Sequence, residues 1–133
     1  ELAFRRMPIS LNPEPNQNPS LSHFLINGVV YAEDEIFYAK TEEVYELDIV
    51  LPDESIEEYT YINIEDVEET RTEEPYFTWY AESGTFDQYF SLYPFNEVDW
   101  TAPSEAHTGK LILVVRDRRG GMNWSWLQVE VTP

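Results

Sequence analysis

Apolar and polar positions alternate along most of the chain, and the clearest run is EVYELDIVL. Tyr45, Leu47, Ile49 and Leu51 fall on one side of it; Glu46, Asp48 and Val50 fall on the other. A period of two with one apolar side predicts a half-buried strand. Upstream, LSHFLINGVVY sets Asn27-Gly28 between two short apolar runs, the signature of two strands joined by a tight turn. Downstream, YFTWYA (76–81) reads as a strand by its aromatic content. GTFDQYFSLYP and EVDWTAP, bounded by Gly84, Pro94 and Pro103, are two further candidates, and GKLILVV and WSWLQVEV close the chain. Residues 53–75 are less regular, with YTYINI as a candidate strand among acidic connections. No segment of useful length carries a helical stripe. About seven to nine short strands separated by turn signals predict an all-β fold, an antiparallel β-sandwich of two sheets.

The first twenty residues divide in two. ELAFRRMPISL alternates mildly, and NPEPNQNPS is a Pro- and Asn-rich lead-in. Residues 1–17 are therefore expected to be a linker or an edge strand from a preceding region, and 18–133 the sandwich domain. The chain begins at Glu1, which fits a fragment or mature form with a signal peptide or lipid anchor upstream.

Composition narrows the class. At 133 residues, with 42% hydrophobic and 15% aromatic residues, the chain suits one domain with a real core despite a net charge of −18. That charge disfavours nucleic acid and anionic membrane surfaces, both polyanions. It permits cations, basic partners, a salty habitat, or solubility alone. Cysteine is absent, which removes disulfides, thiol nucleophiles and zinc–thiolate sites. The longest aliphatic run, LILVV, is too short to span a membrane, so no direct membrane insertion is expected within this chain.

The order of signals from YFTWYAESGTF through VDWTAP to GKLILVVRDRRGG and WLQVEV resembles the bacterial Ig-like and PKD-like β-sandwich domains. The likeness covers roughly 18–132 and is firmest over 76–132. It implies an Ig-like sandwich acting as a spacer, adhesion unit or docking domain of an exported protein, often a lipoprotein, in the periplasm or at the cell surface. It says almost nothing of a specific function. The antibody-type disulfide is absent, and 53–75 is long enough to hold an insertion or extra strand.

The resemblance makes Trp79 the core tryptophan of a central strand. Phe77 and Ala81 would point inward with it, and Val98 and Trp100 would face them from another strand. Leu111, Leu113, Val115, Leu127, Val129 and Val131 would be buried on the last hairpin. Each such side chain contributes roughly 1.5–3 kcal/mol when buried. Alternation then places Tyr76, Tyr80, Ile112, Val114, Arg116, Trp124 and Trp126 on the outer face of three adjacent strands. A solvated outer face should be polar, so an apolar patch rich in aromatics and Arg marks an interface. The expected occupant is a protein partner or neighbouring domain. Cover by the N-terminal segment or by 53–75 is equally open, and carbohydrate stacking on the tryptophans is a further option.

Other chemistry is sparse. Arg116, Arg118 and Arg119 beside Gly120-Gly121 offer an anion cradle, but no helix follows, so phosphate-loop geometry is missing. The competing reading is a hairpin loop in which the glycines supply positive φ, Asp117 bonds back to loop amides and the arginines pair with surface acids. Glu33–Glu35, Glu42-Glu43, Asp53-Glu54 and Glu65–Glu69 allow weak Ca2+ binding or adhesion, although none matches an EF-hand loop. His23, expected in a strand, and His107, expected in a loop, lie in no metal or nucleophile motif, and no GxSxG elbow occurs. No cofactor, metal site or catalytic residue is assigned, and the chain is expected not to be an enzyme.

Overall fold

A computed structural model describes residues 15–133. The expected strand over the first eleven residues lies outside the described residues. Among the described residues there are twelve strands. They are β1 (His23–Ile26), β2 (Val29–Tyr31), β3 (Ile36–Lys40), β4 (Val44–Val50), β5 (Glu58–Ile62) and β6 (Glu68–Thr72), then β7 (Tyr76–Ala81), β8 (Thr85–Phe86), β9 (Phe90–Leu92), β10 (Val98–Thr101), β11 (His107–Arg116) and β12 (Met122–Thr132). One sheet runs β2-β1-β4-β10-β8 and the other β3-β12-β11-β7-β9, packed as a sandwich; among the described residues β5 and β6 pair only with each other.

The alternation read from sequence sets the core. Tyr45, Leu47 and Ile49 of β4 are buried, and Leu51 packs at the margin. They meet Phe77 and Trp79 of β7, Leu111, Leu113 and Val115 of β11, and Leu127, Val129 and Val131 of β12. Val98 and Trp100 are buried from β10, as expected, and Ala81 lies at the core's edge. The β1–β2 turn uses Asn27 and Gly28 at φ 48° and 76°, the pair of positive values that a two-residue hairpin of matching twist requires. The Asn27 side chain also accepts the Glu46 N–H at 2.9 Å, tying the turn to β4.

Three expectations are corrected. The strand count exceeds seven to nine, because residues 53–75 supply a whole hairpin and because β8 and β9 are too short to show a period of their own. The sheets are not purely antiparallel: β3 leaves the first sheet through a turn closed by Glu35 N–H to the Ala32 carbonyl and joins the second parallel to β12. Its pattern was hidden in IFYAK, where Phe37 and Ala39 turn inward and Ile36 and Tyr38 outward. Finally, His107 opens β11 opposite Val131 rather than lying in a loop.

Candidate functional site: the outer face of the second sheet

The register assembles the expected outer residues into rows. Ile112 lies between Tyr80 and Trp126; Val114 lies between Thr78 and Trp124; Arg116 lies between Tyr76 and Met122. All seven residues anticipated on this face share it. The face is also wider than expected. On one side β3 adds Ile36 and Tyr38, in register with Gln128 and Glu130; on the other β9 adds Phe90 and Leu92, opposite Thr78 and Tyr76. Trp124 is 56% exposed, Tyr80 49% and Tyr38 65%. Short strands at sheet margins carry little periodic signal, so IFYAK gives no strand signal of its own and the single candidate GTFDQYFSLYP divides into β8 and β9.

Polar chemistry on the face is cationic. The Lys110 ammonium lies 4.1 Å from the Trp126 ring centre, and the Arg116 guanidinium lies 5.7 Å from the Tyr76 ring while donating to Thr78 Oγ1 at 3.4 Å. With Lys40 on β3, three cations stand on these strands against one acid, Glu130. The outer face of the first sheet has the opposite sign. Among the described residues its charged strand positions are Glu46, Asp48 and Asp99, with no Lys or Arg. Burial, then the fields of Glu97 and Glu46, raise the Asp48 pKa despite the Ile49 N–H bonded to it. The sandwich is therefore polarised across its thickness although the chain as a whole is strongly acidic.

The described lead-in does not screen Trp124. It runs past the loop end of the last hairpin, where Asn123 donates to the Pro19 carbonyl at 3.0 Å and Met122 N–H to Asn18 at 3.1 Å. The 53–75 hairpin is held at the same end, by Arg119. Its Nη1 lies 2.7 Å from Glu73 Oε1 and 3.5 Å from Glu57 Oε2, and its guanidinium stacks 4.2 Å from the Tyr59 ring centre. Burial raises the Glu73 pKa even though Arg119 and the Glu57 N–H both bond to its carboxylate.

The arginine loop is hairpin chemistry. Arg119 and Gly121 donate backbone N–H groups to Asp117 Oδ1 at 2.7 and 2.8 Å, and Asn16 donates to Oδ2 at 2.6 Å. The amides that would cradle an anion hold the protein's own buried carboxylate. Positive φ falls on Arg118 and Gly120, not on both glycines. Gly121 is needed for space, since a Cβ there would collide with Asp117. Among the described residues, Arg119 alone of the three arginines takes the expected acid pairing; Arg116 and Arg118 both approach the Tyr76 ring.

Among the described residues no three His, Asp or Glu side chains converge as a metal site. His23 Nδ1 is 2.7 Å from Ser22 Oγ on an exposed strand end.

The chain matches no family model and no curated protein. A solved structure with some likeness to this chain is a nucleoside hydrolase-related hypothetical protein from Saccharophagus degradans that is associated with carbohydrate metabolism. It is 13% identical, with a TM-score of 0.49, over 85% of this chain. The chain spans about a quarter of that protein's length, 26%.

Proposed function

We propose that this chain is a non-catalytic, Ig-like interaction or spacer module of an exported bacterial surface or periplasmic protein, and that it binds a protein partner or neighbouring domain through the outer face of β7, β11 and β12. The observation that carries the reading is the pair of adjacent outer rows, Tyr80–Ile112–Trp126 and Thr78–Val114–Trp124, with Trp124 and Tyr80 exposed and Lys110 and Arg116 on either side. Aromatics and Arg are the side chains that gain most when an interface excludes water. What supports the Ig-like reading is the order of strands about Trp79, with β4 and β10 facing β7, β11 and β12. Export rests on the sequence resemblance alone.

Protein binding is preferred to glycan stacking because Lys110 already covers one face of Trp126, leaving Trp124 as the open tryptophan platform. The test is to replace Trp124 and Trp126 together by Ser or Thr. The folded state should persist by circular dichroism, while retention of proteins from the host cell envelope on immobilised chain should fall. A variant that unfolds would make these residues core and end the interface reading.

A further inference from the structure

We propose that a second copy of this chain docks on the aromatic face, placing the acidic tip of its β5–β6 hairpin against Trp124 and among Lys40, Lys110 and Arg116. This rests on the reading of that face as a protein-binding surface and names its occupant.

The hairpin has the form of an arm. It pairs with neither sheet, and its base is clamped by Arg119 against Glu57, Glu73 and Tyr59. At its far end Ile62 is 68% and Val67 51% exposed, and Ile64 is fully exposed. A two-stranded ribbon has no second layer in which to bury such side chains. The tip is nonetheless fixed, because Asn63 Oδ1 accepts the N–H groups of Glu65 and Val67 at 2.9 and 3.0 Å. A held turn that displays aliphatic side chains loses little freedom when they are buried by a partner.

Charge selects the docking place. Glu65, Asp66 and Glu68 surround the tip, so it fits an apolar surface fringed with cations. The outer face of the second sheet is that kind of surface; the outer face of the first, with Glu46, Asp48 and Asp99, repels the tip. Each copy carries one arm and one face, so two copies can exchange arms reciprocally and close as a twofold pair. Repulsion between two chains of net charge −18 extends about 10 Å at 0.1 M salt and farther in dilute salt. Pairing is therefore expected to strengthen from dilute salt to physiological salt.

Sedimentation equilibrium of the full chain, from low micromolar to several hundred micromolar at physiological salt, tests the exchange. The wild-type mass should rise toward two chains. Ile64→Glu and Trp124→Ser should each weaken pairing at least about tenfold. An equimolar mixture of the two variants should regain association, because the intact arm of one meets the intact face of the other. Ile64 is fully exposed, so Ile64→Glu leaves the fold unstrained; Tyr80→Ser replaces Trp124→Ser if the latter fails to fold. A wild type that stays a single chain throughout overturns the exchange, as does wild-type association by Ile64→Glu or a mixture that fails to recover. A single-chain wild type still leaves the face available to a different protein, whereas unfolding of the double tryptophan variant removes that surface reading itself.

Discussion

Arg119 reaches 46 positions back along the chain to place Nη1 2.7 Å from Glu73 Oε1, and the Glu73 side chain is only 1% exposed. This pair, with Tyr59 under the guanidinium, joins the last hairpin to the β5–β6 arm. Breaking a buried pair from one side leaves a charge without a partner. Arg119→Ala should therefore cost roughly 2–4 kcal/mol by urea denaturation, below a fully buried pair because Arg119 itself remains partly exposed. A loss within a few tenths of a kcal/mol would show that the clamp is ornamental.

The same pair predicts a pH dependence. Burial lifts the Glu73 pKa above the ordinary Glu range, against the pull of Arg119 and the Glu57 amide. A carboxyl whose pKa is higher folded than unfolded binds its proton more tightly in the folded state. Its contribution is complete below the unfolded value and disappears as pH rises through the folded one. Asp48, raised chiefly by burial, acts in the same direction. The melting temperature should fall from mildly acid pH toward neutrality, and Glu73→Gln should flatten part of that decline. An unchanged slope in the variant would assign the linkage to other acids.

Two glycine substitutions should behave differently. Gly28 has φ +76° with open space around its Cα, so Gly28→Ala meets only the left-handed backbone penalty, about 1–2 kcal/mol. Gly121→Ala must push aside the Asp117 carboxylate, which holds two loop amides and Asn16. Its loss should be larger, roughly 3 kcal/mol, with those bonds broken in a buried site. Equal losses at the two positions would mean that the Asp117 network can move at little cost.

The parts of this fold that sequence made legible are those whose signal is local. The alternation in EVYELDIVL fixes which side of β4 is buried, Asn27-Gly28 marks its own turn, and Leu127, Val129 and Val131 put Trp124 and Trp126 on the outer side of β12. What sequence concealed depends on long-range pairing. IFYAK becomes a strand because β12 offers an edge, parallel and some ninety positions away. The inward turn of Arg119, rather than Arg116 or Arg118, is decided by Glu73 on a separate hairpin. The candidate face was thus visible in its centre and not in its width.

The polarity of the sandwich predicts an unusual tryptophan response. Trp79 and Trp100 are each 1% exposed, so collisional quenchers should reach only Trp124 and Trp126. A chain of charge −18 should favour a cationic quencher over an anionic one if its field were uniform. Lys110 beside Trp126, with Lys40 and Arg116 on the same face, reverses that field locally. Iodide should therefore quench the accessible fraction at least as well as caesium at equal ionic strength. Lys110→Ala should shift the preference toward caesium while stability changes by no more than about 1 kcal/mol, the scale of an exposed cation–π contact. A clear caesium preference in the wild type would show that the acids beyond the sheet dominate the field, and would remove charge complementarity as a reason for an acidic partner to choose this face.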